Sequence, residues 1–267
     1  MTGFAADAAA ITDHYLHALG LQRQAPDLAL LTEITRRHVA QFAFSSVGTR
    51  LGDDLPLDMA ALYQRIVVQR RGGYCFEHNG LVHDVLAELG FTVRLSLGRV
   101  IYNQDIHPGL THRVTLVDCA QSRFLVDVGF GPLGPGRPVN WAGNTLSPTA
   151  RNFRIAEPSP GEFHLQIQKD DGFFSLYRFE LARYGQADCE LGHFFSHKHP
   201  KAAFVNNLVV SRIFDAEVRS LRNRDYRIVS AEGDQETAIT SAAQLHRILV
   251  DDFGLAVSEA ESLRLYG

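Results

Sequence analysis

Three side chains in this sequence have the chemistry of an activated thiol nucleophile. They are Cys75 in the segment RGGYCFEHNG, His112 in THRV and Asp127 in LVDVGFG. A thiol reacts slowly until a base takes its proton, and the base needs an acid that orients its ring. Because the three residue types work only together, their joint presence predicts a catalytic triad with Cys75 as nucleophile, His112 as base and Asp127 as orienting acid.

The elements before residue 90 must position the thiol. Apolar residues recur at helical spacing after Asp7, Asp27 and Asp58. Aspartate commonly caps helix N-termini, so a helix is predicted to start after each of them. A further helix is predicted to end at Gly90 and to run back to Cys75. A thiol at the start of a helix lies at the positive end of the helix dipole, which favours the thiolate. The glycine pair before this helix lets the backbone turn sharply.

From residue 91 the apolar residues alternate with a period of two, which predicts short antiparallel strands. The predicted strands are 91–98, 112–117, 123–130, 163–168 and 173–180. The stretch 129–160 is rich in glycine and proline and is predicted as a long loop, with a short extended piece around 151–155.

The strands that carry His112 and Asp127 can form a hairpin, and its turn decides whether the two side chains meet. A four-residue turn, 118–121, would place them directly opposite each other, and a two-residue turn, 120–121, would place them diagonally on the same face. A turn of three or five residues would separate them. The triad therefore requires an even turn, and it accounts for a carboxylate in an apolar strand, which is costly when unpaired.

The last third of the chain mixes element types. Strands are predicted at 208–213 and 226–229, and a final helix from about 241 to 252 is ended by Gly254. Helices first, strands next and a mixed unit last predict an α+β fold. Because strands and helices do not alternate, a Rossmann or TIM architecture is disfavoured.

The composition argues against several classes of function. The net charge is −4 and the lysines and arginines are dispersed, so we expect no nucleic-acid partner. The N-terminus lacks the basic start and apolar run of a signal peptide, and no stretch approaches the roughly 20 apolar residues of a membrane span. Three cysteines are an odd, sparse set, which favours reduced thiols. We expect a cytoplasmic protein with no membrane partner.

Other reactive residues have weaker arguments. His193, His197 and His199 resemble a metal cluster, but their unequal spacing and the lack of matching carboxylates lead us to expect no metal site. Cys119 falls in the predicted turn and Cys189 lies between two acidic residues, so both are interpreted as structural.

The three motifs resemble those of the arylamine N-acetyltransferase family and occur in the family's order. RGGYCFEHN resembles its nucleophile motif, THRV its histidine segment, LVDVGFG its aspartate segment, and residues 200–212 its entry to the third domain. The resemblance covers essentially the whole chain. It implies a helical bundle with the nucleophile (1–90), an antiparallel β-barrel with the histidine and aspartate (91–192), an α/β lid (193–267), and a catalytic core like that of thiol proteases.

The resemblance also implies an activity, the acetylation of xenobiotic amines. Acetyl-CoA would pass its acetyl group to Cys75 as a thioester, and an arylamine, arylhydrazine or arylhydroxylamine would then take it in a ping-pong reaction. Acetyl-CoA would be a co-substrate, with no permanently bound cofactor, and the protein would be a monomer or a homodimer. Thr111 matches a position near the coenzyme. The family's substrate-pocket positions match Phe44, Val100, Phe130 and Phe204.

The chain departs from the family pattern in two places. The usual Pro-Phe-Glu-Asn-Leu stretch reads Ala-Phe-Ser-Ser-Val at 43–47, which removes a carboxylate and an amide that would stabilise the first domain. Ala202 replaces a serine near the coenzyme. Arg71, just before the glycine pair, is a candidate partner of Glu77.

The thiol chemistry alone leaves other functions open. A thiol hydrolase, a transglutaminase-like enzyme and another acyl-CoA-dependent amide-forming transferase all pass through an acyl-thioester, and only the donor or the acceptor differs. A binding module that keeps the fold without catalysis is a further alternative, although the complete triad disfavours it.

Overall fold

The computed structural model describes residues 7–267, so the expected lack of a signal peptide concerns positions that lie mostly outside this range. The first part is helical. Its helices are α1 (Ala8–Ala18), α2 (Leu28–Gln41), α3 (Val47–Leu51), α4 (Met59–Tyr63), which continues as a π-helix over Gln64–Val68, and α5 (Cys75–Glu88). A two-residue strand, β1 (Phe44–Ser45), lies between α2 and α3.

Aspartates cap three of these helices, as predicted. The carboxylates of Asp7, Asp27 and Asp58 accept hydrogen bonds from backbone N–H groups at 3.5, 2.7 and 2.9 Å. Each cap satisfies one free N–H group of the first turn, which contributes about 1 kcal/mol to helix stability. The predicted starts of α1, α2 and α4 are therefore confirmed.

The second part is an eight-stranded antiparallel sheet with the order β5-β4-β3-β2-β9-β8-β7-β6. The strands are β2 (Thr92–Val100), β3 (His112–Cys119), β4 (Ser122–Val126), β5 (Val139–Asn140), β6 (Thr145–Leu146), β7 (Asn152–Ser159), β8 (Glu162–Lys169) and β9 (Gly172–Glu180). The predicted loop over 129–160 is wrong in part, because β7 has eight residues. Only Phe153 of β7 is buried, so the strand carries almost no alternating signal.

The hairpin of β3 and β4 has the two-residue turn. Cys119 pairs with Ser122, and the turn residues Ala120 and Gln121 have φ values of 50° and 61°. The direct pairing that a four-residue turn would give is therefore wrong, as is the placement of Cys119 in the turn. This register leaves His112 on the diagonal of residue 127, which is the same face, and β4 ends one residue before it.

The last part contains a second sheet with the order β1-β10-β11-β12-β13. Its further strands are β10 (Val209–Ile213), β11 (Glu217–Arg222), β12 (Asp225–Ser230) and β13 (Gly233–Ala238). The helices are α6 (Gln186–Lys198), α7 (Ala203–Asn206), α8 (Ala242–Arg247), which continues as a π-helix over Ile248–Asp252, and α9 (Glu259–Tyr266). The strand and helix predictions near 208–213, 226–229 and 241–252 are confirmed.

Five elements of this part, the short helix α7 among them, escaped the pattern analysis. Strand β13 is exposed along its whole length, so it has no apolar face to detect. Helix α6 buries small and polar residues (Cys189, Gly192, His193 and Ser196) and exposes Leu191 and Phe194, which reverses the expected pattern. Strand β11 and helix α9 were also not predicted. Helix α6 spans residue 192, at which the resemblance places the end of the second part. Strand β1 pairs with β10 in this last sheet, although it comes from the helical part.

Helices packed with a barrel-like sheet and a second smaller sheet confirm the predicted α+β fold. The central apolar core joins the helical part to β2, β3 and β4. A second core packs the last sheet against α8 and α9, and a third lies on the eight-stranded sheet. In residues 7–267, every helix is too short or too polar to cross a membrane.

Candidate active site

Cys75 is the first residue of α5, as the sequence predicted. Gly72 before it has φ +67°, a conformation that glycine takes without steric cost, and Ala43 and Ser45 lie so close that a side chain there would collide with them. The Glu77 carboxylate accepts a hydrogen bond from the Tyr74 N–H at 3.0 Å, which fixes the first turn of the helix.

Arg71, the candidate partner of Glu77, pairs with another carboxylate. Glu77 pairs with Arg65 at 2.8 Å, and the carboxylate is 1% exposed. Arg71 instead binds the Glu261 carboxylate with two nitrogens, at 2.8 and 3.1 Å. The π-helical turn after α4 brings Arg65 to the nucleophile helix, and helix α9, which was not predicted, brings Glu261 to the loop before it.

His112 and Asp127 form a buried pair behind the thiol. His112 Nε2 donates to Asp127 Oδ2 at 2.8 Å, and the two side chains are 3% and 0% exposed. This bond leaves Nδ1 of the ring for Cys75, whose side chain contacts His112. The Cys75 thiol lies 3.4 Å from the carbonyl oxygen of Thr111, the residue before His112. Thiol, imidazole and carboxylate therefore meet in the predicted order.

The charges of this pair are set by burial and by hydrogen bonds. Burial lowers the pKa of His112, but the Asp127 carboxylate and the contact with Cys75 outweigh burial and raise it above the usual value. Burial raises the pKa of Asp127, but His112, the Asn79 amide and the Gly129 N–H outweigh burial and lower it. Each partner therefore favours the charged form of the other, the imidazolium and the carboxylate.

Asn79 and Tyr177 complete the site, and the sequence did not assign a role to either. Asn79 Nδ2 and Tyr177 Oη both donate to the Asp127 carboxylate at 3.0 Å. Asn79 lies one helical turn after Cys75, so helix periodicity could have indicated it. Tyr177 comes from β9, fifty positions after Asp127, and no local pattern indicates this contact.

Gly129 permits the close approach of the aspartate segment to the nucleophile helix. A Cβ atom at Gly129 would lie 2.7 Å from Cα of Cys75 and 2.8 Å from the Asn79 amide nitrogen. Any side chain here would push the aspartate segment away from α5, so the glycine after Val128 is a steric requirement of the triad.

A cleft of about 940 Å3 opens onto the triad. Cys75 and His112 line it, together with the five predicted substrate and coenzyme positions, Phe44, Val100, Thr111, Phe130 and Phe204. The Phe44 and Phe204 rings lie 5.7 Å apart, edge to face, and the Phe130 ring lies 5.0 Å from that of His112. The structure thus brings these positions to one cleft, and their roles in binding stay predictions.

Charged residues also line the cleft. Arg222 at the end of β11 and Lys201 before α7 are exposed and line the cleft, and neither has a carboxylate within ion-pair distance among residues 7–267. Asp225 lies opposite Arg222 on β12. Ala202, which replaces the family's serine, also lines the cleft.

The histidines of α6 have other partners than a metal. Both ring nitrogens of His193 are hydrogen-bonded, to Tyr74 Oη at 2.6 Å and to the Leu55 carbonyl at 2.7 Å. His197 Nδ1 donates to the His193 carbonyl at 2.6 Å. Across residues 7–267, no group of three or more His, Cys, Asp or Glu side chains could hold a metal ion.

The serines that replace the family's Glu-Asn pair join two parts of the fold. Ser46 Oγ donates to the Asn207 carbonyl at 2.9 Å and accepts from the Val209 N–H at 2.8 Å. Ser45 Oγ accepts from the Val47 N–H at 3.1 Å and so supports the start of α3. The Ser46 hydroxyl therefore ties the segment that follows β1 to the start of β10.

Comparison with known proteins agrees with this geometry. A family model described as N-acetyltransferase matches residues 27–262. The arylamine N-acetyltransferase of Escherichia coli (strain K12) is 29% identical over 256 residues, which cover 94% of this chain and 91% of that protein. That of Mycolicibacterium smegmatis is 33% identical over 254 residues, which cover 92% of each chain.

Solved structures agree in the same way. The arylamine N-acetyltransferase from Salmonella typhimurium has a TM-score of 0.90 at 28% identity, covering 96% of this chain and 97% of that one. The Mycobacterium marinum arylamine N-acetyltransferase in complex with CoA has a TM-score of 0.88 at 30% identity, covering 94% and 97%. With the family match over most of its length and relatives of this similarity, the chain belongs to the arylamine N-acetyltransferase family of acyltransferases.

Proposed function

We propose that this enzyme transfers the acetyl group of acetyl-CoA to the nitrogen of arylamines, arylhydrazines or arylhydroxylamines through an acetyl-thioester on Cys75. The carrying observation is the buried Asp127 carboxylate bonded at 2.8 Å to His112, which in turn contacts Cys75 at the floor of a cleft. The CoA complex of the Mycobacterium marinum relative supports the donor.

In the first half-reaction His112 holds the proton of Cys75 on Nδ1, and the thiolate attacks the carbonyl carbon of acetyl-CoA. The tetrahedral intermediate breaks its bond to the CoA sulfur, which leaves with the proton from the imidazolium. CoA departs as a thiol and the acetyl group stays on Cys75. Asp127 stabilises the imidazolium and keeps its Nε2–H directed away from the sulfur.

In the second half-reaction the nitrogen of the acceptor attacks the thioester carbonyl, and His112 takes its proton. The bond between carbon and the Cys75 sulfur breaks, which releases the amide and restores the thiolate and imidazolium. The rings of Phe44, Phe130 and Phe204 offer apolar faces to a flat aromatic acceptor. Such walls also keep water from the thioester, which a transferase requires.

Arg222 is expected to bind the phosphates of the donor, because it lines the cleft and no carboxylate of residues 7–267 lies within ion-pair distance of it. Replacing Arg222 with glutamine should raise the KM for acetyl-CoA about tenfold. The KM for p-nitrophenyl acetate, a donor without phosphates, should not change. Arg247→Gln, which removes an exposed arginine outside the cleft, is the matched control. An equal loss with both donors would contradict this role.

Intact mass after brief incubation with acetyl-CoA tests the proposal. We expect a gain of about 42 Da on Cys75, the mass of an acetyl group that replaces hydrogen, and its loss when an arylamine is added. Rapid loss of the acetyl group without any amine would instead indicate a thiol hydrolase. No gain with acetyl-CoA, but a gain with another acyl-CoA, would indicate a different donor.

A further inference from the structure

A chain of buried hydrogen bonds crosses the helical part beside the nucleophile. Tyr15 Oη and His38 Nδ1 lie 2.7 Å apart, His38 Nε2 and His78 Nδ1 lie 2.7 Å apart, and His78 Nε2 lies 3.0 Å from the carbonyl oxygen of Ala43. The three side chains are 0% exposed. The proposed mechanism uses none of them, although His78 is one turn after Cys75 on α5.

When both histidines are neutral, this row of hydrogen bonds has only one possible direction. A carbonyl oxygen can only accept, so His78 Nε2 carries a proton and donates to Ala43. His78 Nδ1 must then accept from His38 Nε2, and His38 Nδ1 must accept from the Tyr15 hydroxyl. When both imidazoles are neutral, each tautomer is therefore determined by the last acceptor. Protonation of either ring would place two donors face to face or leave one without an acceptor.

The last acceptor in this row of hydrogen bonds, the Ala43 carbonyl, lies between the cleft and the nucleophile helix. Ala43 precedes Phe44, which lines the cleft, and the Phe44 backbone forms a bridge with Gly73, two residues before Cys75. The N–H of Ser45 also donates to the Gly73 carbonyl. His78 thus connects the helix that carries the nucleophile to the segment that carries one aromatic wall.

We propose that His78, oriented by His38 and Tyr15, is a positioning residue that holds the Phe44 wall of the acceptor site against the start of the nucleophile helix. The proposal rests on the proposed function, because it assigns His78 to the second half-reaction. Acylation of Cys75 by acetyl-CoA needs the triad, to which Tyr15, His38 and His78 make no hydrogen bond. Binding of the aromatic acceptor needs the wall.

The two histidines in this row of hydrogen bonds can also be protonated by acid. Burial lowers the pKa of His78 to about 4, and burial followed by the neighbouring His78 lowers the pKa of His38 well below its usual value. The groups that face the pair are the Tyr15 hydroxyl from α1 and, more distantly, the Arg65 guanidinium, which pairs with Asp53 and with Glu77, a carboxyl whose pKa burial raises to about 7. Arg70 lies beyond, over the Phe42 ring that packs on His38.

In the unfolded chain each histidine has a pKa of about 6.5, so the unfolded chain binds protons first as the pH falls. The stability that the neutral pair contributes is fully present above about pH 6.5 and is lost as the pH falls towards 4. His78 alone should raise the unfolding equilibrium constant about 30-fold between about pH 7.5 and about pH 5.

Two substitutions of His78 separate positioning from bulk packing. His78→Leu removes the donor to Ala43 and should raise the KM for the arylamine about tenfold at neutral pH, with the rate of acylation by acetyl-CoA changed less than about twofold. His78→Gln keeps one donor and one acceptor but cannot be protonated. It should keep the wild-type KM within about twofold. In urea unfolding, its unfolding equilibrium constant should lack the roughly 30-fold rise that His78 causes between about pH 7.5 and about pH 5.

His83→Leu is the matched control. His83 lies on the same helix, and among residues 7–267 its side chain bonds only the Thr115 hydroxyl, at 3.1 Å, so this variant should keep the wild-type KM. Equal changes in KM and acylation for His78→Leu, or no rescue by glutamine, would overturn the proposal. If the leucine variant does not fold, the KM and unfolding of the glutamine variant decide. Wild-type enzyme that gains no acetyl mass would instead overturn the proposed function.

Discussion

Cys75→Ser is expected to abolish acetyl transfer, with a loss of at least about a thousandfold in kcat/KM. The hydroxyl has a far higher pKa than a thiol, so a histidine and aspartate arranged to hold a thiol proton cannot generate the alkoxide. Because serine is close to cysteine in size and this position begins a helix, the fold should persist. Release of CoA in the presence of an arylamine, measured at saturating acetyl-CoA, gives the rate.

The matched control for this variant is Cys119→Ser. Cys119 is a free, half-buried thiol at the end of β3, away from the cleft, and its loss should leave the rate within about twofold. Acetylation by Cys75→Ser at more than a few per cent of wild type would show that Cys75 is not the nucleophile. A normal rate for Cys75→Ser together with a slow Cys119→Ser would identify Cys119 as the nucleophile.

The parts of the fold that local chemistry determines were predictable. Three aspartate caps and the start of α5 at Cys75 follow from residue type and helical spacing, and the two-residue turn was one of the two even turns that the triad allowed. The motifs place the catalytic residues because each lies within a few residues of the backbone feature that positions it, a helix start or a hairpin.

Contacts between distant segments were not predictable. The pairing of Arg71 with Glu261 depends on helix α9, and the bond from Tyr177 to Asp127 depends on the order of strands in the sheet. The histidine chain joins α1, α2 and α5 through ring nitrogens, and a buried histidine looks like any other core residue in the sequence. Such contacts follow from tertiary packing, which no periodicity records.

Asp127→Asn is expected to lower kcat/KM by about a thousandfold or more while the fold is kept. Oδ1 of Asp127 accepts from the Gly129 N–H and from Asn79, whose own Oδ1 is occupied by the Val128 N–H. These donors cannot become acceptors, so the new amide must place its oxygen there and its NH2 group towards His112 and Tyr177.

An NH2 group in the position of Oδ2 changes the tautomer of the base. The Tyr177 hydroxyl can rotate to accept, but His112 can accept at Nε2 only if its proton moves to Nδ1, the nitrogen that faces Cys75. In this neutral imidazole Nδ1 already carries the proton and cannot take the one from the thiol, so both half-reactions slow together. Single-turnover acylation by acetyl-CoA and transfer to the amine should therefore fall by the same factor.

Asp118→Asn separates this effect from a general loss of charge on the hairpin. Asp118 is half-exposed and pairs with Arg123 at 2.8 Å, so its replacement removes a surface ion pair worth at most about 1 kcal/mol and should leave both half-reactions unchanged. Unchanged rates in Asp127→Asn would make the buried carboxylate a structural group. A fall in acylation alone would place its role in generating the thiolate rather than in orienting the base through the whole cycle.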